Sequence, residues 1–261
     1  MAGTVVVSVA GRVARVTLNR PEVHNAFDDR LIDELTAVFQ RLAGLADVRA
    51  VVLAANGRSF SAGADLNWMK RTAGYTEEQN LADARRLAGM LQALDRMPQP
   101  TLGLVQGAAY GGGVGLVAAC DIAIAVPEAV FSLSEVRLGL LPAAISPYVV
   151  AAIGARQARR YFLTAERFDA AEAMRIGLVH AMAAREELEA AGERILMALA
   201  DGGPVAQAAS KSLIARVSSG PVDAAMIEDT AGRIAALRAG AEGKEGIAAF
   251  LEKRAPAWRE K

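Results

Sequence analysis

The sequence has few residues that could cross-link the chain or bind a transition metal. Among 261 residues there are one cysteine, Cys120, and two histidines, His24 and His180. A single cysteine excludes a disulfide within the chain and fits a reducing compartment, so a cytoplasmic protein is expected. The histidines are separated by most of the chain and form no ligand-spaced cluster, which argues against zinc. No metal site is predicted.

An excess of either charge is also absent. Lys and Arg together number 29, as do Asp and Glu, so the formal net charge is zero. Nothing global therefore attracts nucleic acid or an anionic membrane. The longest uncharged run, 97–120, has the length of a membrane span, but it contains two prolines and six glycines. A strand, a glycine loop and a buried helix explain this run better, and the start of the sequence lacks the basic residues of a secretory signal.

Hydrophobic periodicity predicts an α/β protein that continues into helices. Alternation over 14–18 predicts a strand paired with 5–9, and helical spacing over 31–42 predicts a helix capped by Asp28 or Asp29. Strands are predicted at 48–54, 101–105, 122–126 and 129–133, and a helix at 77–94 with Leu81, Ala84, Leu87, Leu91 and Leu94 facing inward. After about Gly154 the pattern is helical, with breaks at 202–204 and 218–221.

Two segments rich in small residues carry the chemical signal, Phe60–Leu66 and Gln106–Gly115. Small residues let a backbone approach a ligand closely. Two such backbones can direct two N–H groups at one oxygen, which is the arrangement of an oxyanion hole. The carboxyl group of Glu135 follows soon after the second segment. A polarised carbonyl next to an acid or base predicts proton chemistry beside a thioester.

Together with 19–27, Cys120-Asp121 and 250–254, these segments resemble the enoyl-CoA hydratase/isomerase (crotonase) family over essentially the whole chain. The resemblance implies a spiral of strand-strand-helix repeats over 1–200. It implies a helical region over 201–261 that serves oligomer packing and contacts to coenzyme A. The expected substrate is an acyl-CoA thioester, with no cofactor beyond the coenzyme A of the substrate itself. The expected assembly is a homotrimer or a dimer of trimers.

The resemblance also assigns roles to residues. The N–H groups of Ala64 and Gly112 become the two oxyanion donors, and Glu135 becomes the catalytic carboxyl group. Contacts to the substrate are assigned to Ala62, Asp65, Leu66, Asn67, Gly111, Gly115, Leu141, Pro142, Phe250 and Lys253.

Local sequence leaves other interpretations open. Asp65 fits a helix cap, Phe250 and Lys253 fit two faces of an ordinary helix, and Glu135 could pair with Arg137 in solvent. Residues 113–118 match the dinucleotide fingerprint G-x-G-x-x-A, with an acid about 20 residues on. That fingerprint usually opens a domain, whereas here about a hundred residues come before it.

The chain departs from the two-glutamate hydratase pattern at Gly115, where the second glutamate should stand. The 141–148 segment, Leu-Pro-Ala-Ala-Ile-Ser-Pro-Tyr, resembles a methylglutaconyl- or isohexenylglutaconyl-type hydratase subgroup that tends to have this glycine. The sequence therefore predicts an enoyl-CoA hydratase working with one glutamate. The alternatives are a Δ3,Δ2-enoyl-CoA isomerase, in which one base shuttles one proton, and an acyl-CoA binding protein without activity.

Overall fold

A computed structural model describes residues 3–218 and 220–259 of the chain. Met1 and Ala2 at the start, and Ser219 within the predicted 218–221 break, lie outside the described residues. The chain forms two compact units. The first comprises the residues up to 97 together with 101–193, and the second comprises 98–100 together with the residues from 194 onward. The predicted boundary at residue 200 stays a prediction.

The first unit repeats the order strand, strand, helix. Its larger sheet has the order β1-β2-β3-β5-β7-β10, and its smaller sheet has the order β4-β6-β8-β9. The strands are β1 (Val5–Ala10), β2 (Val13–Leu18), β3 (Ala50–Ala55), β4 (Ser59–Ser61), β5 (Thr101–Val105), β6 (Ala108–Tyr110), β7 (Ile122–Ala125), β8 (Val130–Ser132), β9 (Phe168–Asp169) and β10 (Ala181–Met182).

The burial of each strand follows from its place in the sheet. β2 alternates between half-buried and fully buried residues, as predicted, because it lies near the edge of the larger sheet and buries one face. β3 and β5 are buried along nearly their whole length, as expected for central strands in parallel pairing. The predicted strands 48–54, 122–126 and 129–133 are present with boundaries shifted by one or two residues.

The helices of the first unit cover this framework. They are α1 (Asp29–Ala43), α2 (Leu66–Thr72), α3 (Glu77–Asp95), α4 (Gly112–Ala119), α5 (Ser146–Thr164), α6 (Ala170–Ile176) and the start of α7 (Leu188–Asp201). The Asp28 cap of α1 is confirmed, since its carboxylate accepts a 2.8 Å hydrogen bond from Leu31 N–H. Up to α4, the strands and helices follow the predicted order of strand, strand, helix.

Two expectations about the helices were wrong. Leu81 and Ala84 are exposed, because only the C-terminal half of α3 packs on the core, through Met90, Leu91 and Leu94. The chain after Gly154 is also not purely helical, since β9 and β10 add two-residue strands to the two sheets. Such short strands carry too few residues to show a period-two pattern in the sequence.

The second unit is built from the end of α7 and from α8 (Pro204–Val217), α9 (Ala224–Ala239) and α10 (Ala241–Leu251). The predicted break at 202–204 is confirmed, because Pro204 begins α8. Glu242 of α10 accepts hydrogen bonds from Val205 and Ala206 N–H, so a carboxylate compensates the first turn of α8. Across 3–218 and 220–259 no helix is long and apolar enough to cross a membrane.

Candidate active site

Three neighbouring parallel strands of the smaller sheet end at the same edge. β4 pairs with β6, and β6 pairs with β8, all in parallel. β4 leads directly into Ala62–Asp65, β6 into Gly111, and β8 into the turn that carries Glu135. Ligands of open α/β sheets bind beyond the carboxyl ends of parallel strands. The topology therefore gathers both glycine-bearing segments and the carboxyl group at one place.

The first segment leaves the N–H of Ala64 free for a ligand. Phe27 forms a parallel bridge with Ala64, in which Phe27 N–H donates to Gly63 C=O at 2.6 Å and Asp65 N–H donates to Phe27 C=O at 2.8 Å. In this bridge the polar groups of Ala64 itself point away from Phe27. Within 3–218 and 220–259 its N–H has no hydrogen-bond acceptor, and Ala64 is exposed.

Asp65 caps α2, as local sequence predicted. Its Oδ1 accepts hydrogen bonds from Asn67 N–H at 2.8 Å and from Trp68 N–H at 3.2 Å. Burial raises the pKa of Asp65, but these two N–H groups and the guanidinium of Arg20 outweigh it and hold the pKa below its usual value. Asp65 is buried and engaged by the protein, so it supports the segment, and its contact to the substrate stays a prediction.

The second segment presents the N-terminus of α4. Gly111 has φ 49° and ψ −116°, a conformation that a residue with a side chain rarely adopts, and its N–H donates to Ser132 C=O at 2.9 Å. Gly112 is the first residue of the helix, so its N–H has no partner within the helix. The positive end of the helix dipole adds to the attraction of this N–H for a developing negative charge.

The two segments touch each other. A Cβ atom added to Gly63 would lie 3.1 Å from Tyr110 C=O and 3.9 Å from Gly111 N. Phe27 contacts both segments. Its backbone bridges Ala64, and its ring would lie 3.0 Å from a Cβ on Gly112. The structure therefore brings the two segments that carry the predicted donors into contact.

Glu135 lies against the second segment with its carboxyl group largely buried. Its Oε1 would be 3.0 Å from a Cβ on Gly111, and its Oε2 is buried without a hydrogen-bond partner among the described residues. Burial raises the pKa of Glu135 above the usual value, and a backbone hydrogen bond offsets only part of this. Among residues 3–218 and 220–259, Arg137 is not one of the groups that shift the pKa of Glu135. The solvated-pair interpretation was therefore wrong.

The position of the missing second glutamate is occupied by another side chain. A Cβ on Gly115 would overlap Cγ2 of Ile145 and would lie 2.9 Å from its Cβ and 3.6 Å from Leu91 Cδ2. Ile145 is buried and immediately precedes α5. Gly115 is thus a packing glycine inside α4, and this contact also gives the G-x-G-x-x-A match a structural rather than a phosphate-binding explanation.

The remaining predicted contact residues differ in placement. Ala62 is half-buried, Leu66 and Asn67 are exposed, Leu141 is exposed, and Pro142 is buried. Phe250 and Lys253 belong to the second unit, where Phe250 is 82% exposed. Ala64, Gly112 and Glu135 all belong to the first unit. Among residues 3–218 and 220–259 no cluster of three or more His, Cys, Asp or Glu could hold a metal ion.

Two residues of the site had no role in the sequence-based prediction. Phe27 lies in the 19–27 segment that carried the resemblance, and its large aromatic side chain could have marked it as buried. Ile145 lies 30 residues from Gly115 in sequence, and no local pattern links the two.

Comparisons with known proteins show the family of the chain. The sequence profile of the family described as enoyl-CoA hydratase/isomerase matches residues 9–261. A short-chain-enoyl-CoA hydratase of Clostridium acetobutylicum is 31% identical over 256 residues, covering 96% of this chain and 95% of that protein. An Alternaria alternata protein named enoyl-CoA hydratase ACTT6 is 36% identical over 255 residues, covering 95% of this chain and 81% of that protein.

A solved structure is similar throughout its length. The enoyl-CoA hydratase from Shewanella pealeana superposes with a TM-score of 0.96 at 46% sequence identity, covering 98% of this chain and 96% of that one. With the profile match, the near full-length relatives and the shared fold, the chain belongs to the enoyl-CoA hydratase/isomerase family.

Proposed function

We propose that the protein is an enoyl-CoA hydratase, which adds water across the double bond of a 2-enoyl-CoA thioester. The observation that carries the proposal is that two segments meet beside the largely buried carboxyl group of Glu135, and that each carries a backbone N–H, of Ala64 or Gly112, with no acceptor among the described residues. The arrangement combines an oxyanion hole, which stabilises negative charge on a carbonyl oxygen, with a carboxyl group that transfers a proton.

The backbone donors would act on the thioester carbonyl. As water adds to the β-carbon, electron density moves through the conjugated system onto the thioester oxygen. Hydrogen bonds from Ala64 and Gly112 N–H stabilise that oxygen, and they need no reorganisation because both segments are already held in place. A donor of this kind contributes about 3 kcal/mol to transition-state stabilisation in related chemistry.

Glu135 would handle both proton transfers. Its carboxylate takes a proton from water as the water oxygen bonds to the β-carbon, and the resulting carboxylic acid returns that proton to the α-carbon. The raised pKa favours this exchange, because a carboxyl group whose pKa approaches the working pH both accepts and donates a proton readily. The packing of Ile145 at Gly115 supports a reaction with one carboxylate.

A panel of enoyl-CoA thioesters tests the proposal. Loss of the ultraviolet absorbance of the conjugated 2-enoyl thioester indicates hydration. Gain of that absorbance from a 3-enoyl substrate indicates the isomerase, which the single carboxylate also allows. Tight binding with neither change would mean that the fold has kept its ligand and lost the chemistry.

Finer assignments follow as part of the proposal. The 141–148 segment supports branched, methylglutaconyl-like substrates within the panel, and leucine breakdown as their source. Phe250 and Lys253 are assigned to the coenzyme A moiety, and the protein to a cytoplasmic homotrimer or dimer of trimers. The reaction as written uses no cofactor besides the coenzyme A of the substrate.

A further inference from the structure

The side chain of Arg20 lies where the segment around Phe27 meets the first oxyanion segment. Its NH1 donates to Ala26 C=O at 2.7 Å and pairs with Asp28 Oδ2 at 2.9 Å, and its NH2 pairs with Asp65 Oδ2 at 3.1 Å. The Arg20 side chain is only 15% exposed. One guanidinium group therefore serves three acceptors on two separate stretches of chain.

These contacts surround the Ala64 peptide. Ala26 and Asp28 are the residues on either side of Phe27, and Phe27 forms the bridge to Ala64. Asp65 follows Ala64 directly. Because the guanidinium group is planar and its donors form a rigid fork, it fixes the acceptors relative to one another. Arg20 thereby constrains both the segment around Phe27 that Ala64 lies against and the residue that comes after Ala64.

Arg20 is itself held firmly. Its backbone N–H donates to Asn25 Oδ1 at 2.8 Å, and Asn25 N–H donates back to Arg20 C=O at 2.8 Å. Asn25 is fully buried, and its amide nitrogen donates to Asn56 C=O at 2.9 Å and Ser59 C=O at 3.0 Å. Since Ser59 begins β4, the network joins the start of that strand to the segment that follows its end.

From this network we infer that Arg20 is a positioning residue of the oxyanion hole, which aims the Ala64 N–H without touching the substrate. The inference rests on the proposed function, in which that N–H binds the thioester oxygen. An oxyanion donor acts only when it is directed at the position where charge develops. A misplacement of about 1 Å can lower a rate by about a hundredfold.

A purely structural role for Arg20 makes a different prediction. Loss of the three contacts would then lower thermal stability and the yield of folded protein. The turnover of each folded active site and the polarisation of the bound carbonyl would stay unchanged. The decisive readouts are therefore kcat for folded enzyme, KM, and the infrared carbonyl stretch of a bound acyl-CoA.

The test compares Arg20→Met, Arg20→Lys and wild type. Arg20→Met should lower kcat by about ten- to hundredfold with KM changed little, because the donor matters most in the transition state. The carbonyl stretch of the bound thioester should return toward its value in solution. Arg20→Lys should recover part of both effects, since it keeps the charge without the fork. The matched control is Arg30→Met, which removes an exposed pair with Glu34 one helical turn away.

Wild-type kcat and an unchanged carbonyl shift in folded Arg20→Met would overturn the inference. If that variant does not fold, Asp65→Asn makes the same test, because asparagine keeps an oxygen for the cap of α2 and removes the charge that Arg20 binds. Failure of the hydratase proposal is seen separately, as a wild-type protein that hydrates no substrate. The carbonyl shift of a bound acyl-CoA still decides the role of Arg20 in that case.

Discussion

The two segments that carry the proposed oxyanion donors are held in place by different means. The first, around Ala64, is held by polar contacts, namely the Phe27 bridge, the Asp65 cap and the Arg20 fork. The second, around Gly112, is held by close packing. Cβ atoms on Gly112, Gly113 and Gly115 would press on Phe27, on Ser61 and on Ile145. The first donor should therefore respond to changes in charge, and the second to changes in size.

Glu135 stands where both segments meet, so its substitution should have the largest effect. Glu135→Gln should lower turnover by roughly two to four powers of ten, the range for a general acid or base, with little change in acyl-CoA affinity. Steady-state kinetics and a binding titration measure the two quantities. Glu128→Gln is the control, since Glu128 is an exposed glutamate on the same unit. Near-normal turnover in Glu135→Gln would remove this residue from the mechanism.

Gly112→Val tests the volume side of the comparison. The new side chain would press on the Phe27 ring and displace the N–H, so kcat should fall by about a hundredfold, equivalent to about 3 kcal/mol for one lost donor. The control is Gly89→Val in α3, where an added Cβ meets nothing within 4 Å. If folded Gly112→Val hydrates substrate at the wild-type rate, the second segment does not supply a donor.

Gly115→Glu also tests whether close packing holds the second segment. A glutamate here could in principle restore the two-carboxylate scheme, but Ile145 fills the space. We expect the variant to lose activity and about 1–3 kcal/mol of stability through overpacking. Adding Ile145→Ala should recover part of that stability, so the double variant should be more stable than the sum of the two single changes predicts. Additive losses in thermal or denaturant unfolding would show that the two positions are not in contact.

Activity should depend on a single ionisation. Because the pKa of Glu135 is raised and, in the proposed mechanism, its carboxylate takes the proton from water, kcat/KM should rise with pH through that raised value. A profile for the free enzyme with two controlling carboxyl groups would mean that another residue replaces the missing glutamate. The Glu135→Gln variant should lose this ionisation from its residual profile.

The smallest expected effect is on stability. The folded-state pKa of Glu135 is raised, so its contribution is favourable to the native state at low pH and is lost as pH rises through that pKa. Glu135→Gln removes a largely buried carboxylate whose Oε2 has no hydrogen-bond partner among the described residues, so it should raise Tm above that pH while changing it little in acid. An equal change in Tm at pH 4 and pH 8 would contradict this explanation.

Much of the fold could be predicted because local patterns carry it. The β2 alternation, the Asp28 cap and the break before Pro204 each depend on residues within a few positions of one another. The exposed N-terminal half of α3 was mispredicted, because Leu81 continues the helical spacing although the core ends before it. Periodicity reports which face of a helix is apolar, not how far along the helix the core extends.

The candidate site could be predicted in part for a related reason. Small residues and a glutamate mark the segments that meet at the strand ends, and the sheet order then brings them together. Their roles in catalysis stay predictions. The contacts that hold them, from Arg20 to Asp65 and from Ile145 to Gly115, join residues 30 or more positions apart. A single sequence does not reveal such pairs, because neither residue of a pair indicates by its type or its neighbours which distant residue it contacts.

The contact between Gly115 and Ile145 also limits how the sequence can change over evolutionary time. A glutamate cannot enter position 115 while the isoleucine side chain fills that space, and a smaller residue at 145 first leaves a cavity that costs about 2–5 kcal/mol. Each single substitution is therefore disfavoured, although a smaller residue at 145 would relieve the overlap with a side chain at 115. A lineage with this pair is held at Gly115 by the stability cost of whichever substitution comes first.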